Sequence, residues 1–212
     1  MTILFLGPDA SPLLHWLRQQ EASVIQTDQK ITAEYVKANN VMFIVSYGYQ
    51  NKITTEVLDA VSGRAVNLHI SYLPWNRGAD PNLWSFIKDT PKGVTIHYVD
   101  DGFNTGDIIV QKNVEFNIDT DTLASSYKKL QDESQNLFKE HWALIKSSKC
   151  SSHKQPLEGT IHRSRDKEQV IHYLTYGWNT PVSVLCEVAA DIQMSVQFWE
   201  KCDLEIMQVK KA

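Results

Sequence analysis

Cysteine is scarce in this chain. Cys150, Cys186 and Cys202 are an odd number at irregular spacing, which excludes a disulfide-stapled secreted domain and points to a reducing, cytoplasmic compartment. No run of about eighteen apolar residues occurs, so a membrane-spanning helix is not expected. Positive charge is not in excess either. With 21 Lys and Arg against 25 Asp and Glu, the formal net charge is −4, and no local basic concentration offers a nucleic acid an electrostatic footprint. The first strand is not followed by Gly-x-Gly-x-x-Gly but by Gly7-Pro8-Asp9, which argues against a nicotinamide dehydrogenase. The pairs Cys150/His153 and His162/His172 match no tetrahedral zinc spacing, so no metal is expected.

What is present is a strand and helix alternation. Met1-Thr2 leads directly into the apolar run Ile3 to Leu6, which reads as a buried strand rather than a leader, and Ser11-Pro12 then opens a helix with Leu13, Leu14, Trp16 and Leu17. Val24 and Ile25 suggest a strand, Thr32 to Asn39 a helix, and Val41 to Val45 a fully apolar central strand. A helix around Glu56 to Val61, a strand over Ala65 to Ile70 and a helix start at Asp80-Pro81 continue the order. Val94 to Val99 and Ile108 to Val114 form a hairpin-like pair, and Leu123, Tyr127, Leu130, Leu137, Phe138, Trp142 and Ile145 mark one long amphipathic helix from Thr122 to Lys146.

These signals predict an α/β fold, a Rossmann-like open sheet of parallel strands, with ligands beyond the strands' carboxyl ends. The polar stretch Ser147 to Pro156 divides a catalytic domain, residues 1–150, from a small C-terminal extension, residues 151–212. In that extension the patterns suggest a capped helix over Asp166 to Leu174, a Tyr176-Gly177-Trp178 turn and strands near Val182 to Val188.

Asn67 and His69, two apart on one strand, face the same side near its carboxyl end. Asp107 opens a later strand beside Ile108 and Ile109. An amide can donate to an oxygen that gains charge, while a carboxylate orients an imidazole and favours its protonated form. Converging, the three would suit acyl transfer to an amine.

The blocks Asn67-Leu68-His69-Ile70-Ser71-Tyr72-Leu73-Pro74, Arg77-Gly78-Ala79, Gly93-Val94-Thr95-Ile96-His97 and Asn104-Thr105-Gly106-Asp107-Ile108-Ile109 resemble formyltetrahydrofolate-dependent formyltransferases over the first two-thirds of the chain. The resemblance implies the formyltransferase fold, 10-formyltetrahydrofolate as co-substrate, and a catalytic trio of Asn67, His69 and Asp107, with protonated His69 and Asn67 stabilising an oxyanion. It also implies folate contacts from Tyr47, Gly48 and Tyr49 and from Asp101, Gly102, Phe103 and Thr105.

Within that family the Tyr72 to Gly78 loop and the segment from Gly159 to Trp178 resemble sugar N-formyltransferases. This implies transfer to a primary amine of an amino sugar, dTDP- or UDP-linked or on the pseudaminic acid route, for surface polysaccharide or glycan synthesis. Tyr72, Trp75, Arg77 and Trp178 are the candidate sugar-binding residues, and a homodimer is expected. The purine-pathway branch would need a Gly- and Ser-rich phosphate loop after the first strand, which Gly7-Pro8-Asp9 is not. Methionyl-tRNA formyltransferase carries a longer basic tail, whereas from Cys150 to Ala212 seven Lys and Arg stand against eight Asp and Glu. That enzyme, or a folate-binding regulatory module without turnover, is the alternative.

Overall fold

The structure is a computed structural model that describes residues 1–189; the end of the predicted extension lies outside the described residues. In chain order the elements are β1 (Thr2–Leu6), α1 (Pro12–Gln20), β2 (Val24–Thr27), α2 (Ala33–Ala38), β3 (Val41–Tyr47), α3 (Thr55–Ala60), β4 (Ala65–His69), β5 (Arg77–Gly78), α4 (Pro81–Ile87), β6 (Gly93–Tyr98), β7 (Ile108–Asn113), α5 (Leu123–Lys146), β8 (Ile161–His162) and α6 (Val182–Glu187).

Six strands make one sheet in the order β2-β1-β3-β4-β6-β7, and β5 pairs with β8 in a small second sheet. Alternation along the strands splits the core. Ile3, Phe5, Phe43 and Val45 pack with Leu13, Leu17, Phe138 and Trp142, while Leu4, Leu6 and Ile44 pack with Val36, Val57 and Leu58. A third apolar cluster joins Leu83, Trp84, Phe86 and Ile87 of α4 to Leu123, Val170, Val182 and Leu185.

The open α/β sheet is as expected, but it is mixed rather than parallel throughout. β4 pairs with β6, and β6 with β7, antiparallel. The cause is the connections: after β4 the chain stays beyond that strand's carboxyl end through α4 and re-enters the sheet from there, and residues 99–107 are too short for a parallel crossover. The hairpin-like pair is therefore present.

The long helix begins on a capping box, Thr122 Oγ1 accepting from Ser125 N and Ser125 Oγ from Thr122 N. Two expectations in the extension are corrected. Val182 to Val188 is not strand; its β-branched residues suit strands locally, but as α6 it turns Val182 and Leu185, three apart, into the third cluster. Asp166 to Leu174 is not one helix but two 3-10 turns, Asp166–Gln169 and Ile171–Tyr173, broken at Val170, whose φ of −120° swings its buried side chain inward.

Residues 153–162 return across the end of the sheet that carries the candidate residues. His153 exchanges two backbone hydrogen bonds with Ile108, at 2.8 and 3.0 Å, and Thr160 and His162 bond the loop after β4. Among the described residues no helix is long and apolar enough to cross a membrane.

Candidate active site

β4 presents Asn67 and His69 as expected, and β6 sets His97 directly opposite Asn67. His97 organises the first cluster. Its Nδ1 lies 2.7 Å from the carbonyl oxygen of Tyr98, which can only accept, so Nδ1 carries the proton and Nε2 is a bare lone pair. The backbone N–H of Gly78 donates to Asn104 Oδ1 at 3.0 Å, which turns Asn104 Nδ2 toward His97 Nε2 at 3.3 Å. Asn67 Nδ2 donates to the same nitrogen at 3.2 Å. One N–H and the Oδ1 of Asn67 are thereby left for a ligand.

His69 is held separately. Its Nε2 donates to the carbonyl oxygen of Asn76 at 2.9 Å. Asn76 is fully buried with φ of 55°, and its own groups are engaged: N by Thr160 Oγ1 at 2.8 Å, Nδ2 by Thr90 Oγ1 at 2.7 Å, and Oδ1 by Thr160 Oγ1 at 3.2 Å. Burial pushes the pKa of His69 down to about 4, against the bond to Asn76 that favours its charged form; His97 is pushed down to about 4 by burial as well. This environment favours a neutral ring at His69 whose Nδ1 keeps its lone pair, where an imidazolium was expected.

The loop joining β4 to β5 is clamped from below. Thr95 Oγ1 donates to Ser71 O at 2.7 Å and accepts from Leu73 N at 3.1 Å, while Gln111 Nε2 donates to Leu73 O and to Thr95 Oγ1 at 2.8 and 2.9 Å. This brings half-buried Tyr72, Trp75 and Arg77 to the carboxyl end of β4. Trp178 is half exposed on the 3-10 turn Gly177–Asn179, with the Lys167 ammonium 6.0 Å from its ring, and Lys167 pairs with Asp80 at 3.2 Å.

Asp107 does not join the two clusters through its side chain. Its backbone oxygen accepts from Tyr98 N at 2.9 Å, and its carboxylate makes no hydrogen bond or ion pair among the described residues. Asn104, three residues earlier, is the side chain that reaches His97.

The expected folate segments divide similarly. Tyr47 is a core residue whose hydroxyl accepts from Gln135 at 3.3 Å and whose pKa burial pushes up to about 12, so only its backbone faces outward groups. Gly48 turns the chain at φ 72°, and Tyr49 donates its hydroxyl to Gln29 O at 2.8 Å. Asp100 pins the segment of Asp101, Gly102, Phe103 and Thr105 by accepting from Gly102 N and Thr105 Oγ1 at 3.1 and 2.7 Å, and Phe103 projects with 61 % of its surface exposed.

His97, Asn104 and Gln155 were not singled out from sequence. His97 and Asn104 lie inside the blocks that carry the family resemblance, and that is their signal; Gln155, in the polar stretch Ser147 to Pro156, offers none.

A Rossmann-like sheet that ends in amides and neutral imidazoles, with no three His, Cys, Asp or Glu side chains grouped for a metal among the described residues, is the frame of an acyl- or formyl-transfer site. The family model described as formyl transferase matches residues 9–142, and the chain belongs to that family. It is 46 % identical to the formyltransferase PseJ from Anoxybacillus kamchatkensis, solved in complex with UDP-4,6-dideoxy-4-formamido-L-AltNAc and tetrahydrofolate, with a TM-score of 0.81 over 87 % of this chain and 97 % of that one. It is 31 % identical over 127 residues to dTDP-4-amino-4,6-dideoxyglucose formyltransferase of Mycobacterium bovis, covering 60 % of this chain and 53 % of the relative. Methionyl-tRNA formyltransferase of Fusobacterium nucleatum is 35 % identical over 113 residues, 53 % of this chain and 36 % of that protein. The chain thus spans about half the length, or less, of these curated relatives.

Proposed function

We propose that the protein transfers a formyl group from 10-formyltetrahydrofolate to the C4 amine of a UDP-linked 4-amino-4,6-dideoxyhexose. The observation that carries this reading is the 46 % identity to a formyltransferase crystallised with such a formamido product and tetrahydrofolate, across nearly that whole chain. The Mycobacterium bovis relative, whose name gives a dTDP-linked 4-amino-4,6-dideoxy sugar, supports the same amine position with a different nucleotide.

In this reading the folate supplies the formyl carbon and the nitrogen that leaves it. The backbone beside Gly48 and Tyr49, the pinned segment of Asp101, Gly102 and Thr105, and the exposed Phe103 ring fit a flat heteroaromatic with amide edges. Asn67 uses the N–H not given to His97 to bind the formyl oxygen as the amine adds and charge develops there. His69, whose Nδ1 keeps its lone pair, takes the proton the amine must lose and hands it to the folate nitrogen as that nitrogen's bond to the formyl carbon breaks. Asn104, with His97, keeps the Asn67 amide aimed; on geometry it stands in the third place that the resemblance gives to Asp107.

Tyr72, Trp75 and Arg77 line the acceptor side, with Trp178 contributing from the Lys167–Asp80 pair. The product belongs to surface polysaccharide or glycan synthesis in the cytoplasm. Exposed Ile161, Ile171 and Tyr176 support a homodimer.

Incubation with 10-formyltetrahydrofolate and a panel of UDP- and dTDP-linked amino sugars should add one formyl mass to the UDP-linked 4-amine. Folate binding with no product across the panel would instead favour a binding module without turnover. The tRNA alternative is disfavoured by the balanced charge of the last segment.

A further inference from the structure

We infer that Gln155 is a positioning residue that holds Arg77 as an uncompensated cation for the diphosphate of a nucleotide-linked acceptor. The inference rests on the reading above that the acceptor is such a nucleotide sugar.

The amide of Gln155 uses all four of its hydrogen-bonding positions. Its Oε1 accepts from Arg77 Nε at 3.0 Å and from Arg77 Nη2 at 2.8 Å, and its Nε2 donates to the carbonyl oxygens of Asn104 and Gly106, both at 2.8 Å. The two carbonyls accept only, so the amide cannot flip. Pro156 O lies 3.5 Å from Nη2, and the Arg77 backbone N–H donates to Thr160 O at 2.9 Å.

Every partner of this guanidinium is neutral. No carboxylate lies within ion-pair distance of it among the described residues, although a fork of this shape is the usual partner of one. Asp100, the acid that still acts on Arg77 through space, spends its carboxylate on Gly102 and Thr105. Arg77 is also partly desolvated, which costs free energy for a charge with no carboxylate in direct contact, and Nη1 is left for an incoming anion. A carboxylate at 155 would satisfy that charge and compete with a phosphate; an amide fixes the same geometry without doing so. Because the other end of Gln155 holds Asn104 and Gly106, the cation is set in register with the Asn67–His97–Asn104 cluster, so the anion and the reacting amine are located by one side chain.

The test is calorimetric binding of UDP, uridine and inorganic pyrophosphate to the full chain, at two salt concentrations, for the native protein and for Gln155→Glu and Gln155→Ala. The native protein should bind pyrophosphate, and UDP more tightly than uridine, with an advantage that shrinks in salt. Gln155→Glu should lower UDP affinity by about tenfold or more, toward that of uridine, while uridine affinity is kept; Gln155→Ala, which adds no charge, should lose less. Equal losses for UDP and uridine would mean a purely structural role and overturn the inference, as would unchanged UDP affinity in Gln155→Glu or a native protein that binds neither UDP nor pyrophosphate. If the glutamate variant does not fold, the alanine variant carries the same comparison. Turnover is not needed, so absence of formyl product with intact, Gln155-dependent UDP binding counts against the formyl-transfer reading alone.

Discussion

His69 donates from Nε2 to the backbone carbonyl of Asn76 across 2.9 Å, and that single bond decides how the imidazole can work. A carbonyl oxygen cannot donate, so the proton of the neutral ring sits on Nε2 and the lone pair on Nδ1. With burial pushing its pKa down to about 4, the ring is unprotonated across the whole neutral range. Carbon-detected or long-range nitrogen NMR should find the His69 ring titrating near 4 and in the Nε2–H tautomer at pH 7. The rate should hold steady as pH falls from 8 to about 5 on account of this group and drop below that. A ring titrating near 6.5 would return the imidazolium role to His69. His69→Asn, which keeps a polar group but no base, should cut kcat by about 10² or more with the fold intact.

Asn104 and Asp107 can be separated directly. Asn104→Ala removes the donor that shares His97 Nε2 with Asn67 and the acceptor of the Gly78 N–H, so the amide of Asn67 loses its orientation. Its loss in turnover should approach that of Asn67→Ala, about 10²-fold if one donor to the developing charge is forfeited. Asp107→Asn should fall several-fold short of that loss, since its carboxylate holds no other described side chain. The reverse order in steady-state kinetics would restore Asp107 to the trio. Asn104→Asp adds a third readout: a carboxylate facing His97 Nε2 favours the imidazolium, so the His97 pKa should rise from about 4.

Much of this was legible from the residues. The apolar runs of Ile3 to Leu6 and Val41 to Val45, the helical spacing from Thr122 to Lys146 and the position of Asn67 and His69 on one strand face follow from hydrophobic period, which is local. The antiparallel return of β6 was not, because strand direction depends on where α4 leads the chain, not on the apolar run itself. The α6 helix has a related cause: Val182 and Leu185 take their conformation from a pocket built by Leu83 to Ile87, Leu123 and Val170, all outside the local pattern. Asn104 is turned toward His97 by a hydrogen bond from Gly78 N–H, and Gln155 meets Arg77 across 78 positions, contacts that no local pattern encodes.

Gly78 ties the returning segment to the site. Its φ is 83°, in the left-handed region, and a Cβ there would stand 2.3 Å from the carbonyl oxygen of His162. Gly78→Ala therefore faces both a strained backbone and a collision with the β5–β8 pairing, and the Gly78 N–H that holds Asn104 moves with it. Thermal or urea unfolding should show a loss of roughly 2 kcal/mol or more. Limited proteolysis should cut between residues 153 and 162 faster than in the native protein. Unchanged stability and cleavage would mean that the returning segment is not held at this point.

Acid should destabilise the fold in a defined window. In the unfolded chain His69 and His97 take up protons as pH falls through about 6.5, whereas in the folded protein burial delays that uptake until about 4. Between those values the unfolded state holds more protons, so stability present above pH 6.5 is lost progressively as pH falls toward 4. Below about 4 both states are protonated and these groups add no further slope. Each shift corresponds to a few kcal/mol, on the order of 3, in differential interaction. Urea midpoints measured from pH 7.5 to 4 should fall, with a slope equivalent to about two protons taken up on unfolding near pH 5. In Asn104→Asp the slope should lessen, because a His97 with a raised pKa is already protonated in the folded state over part of the same window; an identical slope in the two proteins would mean that His97 does not sit as a buried neutral ring.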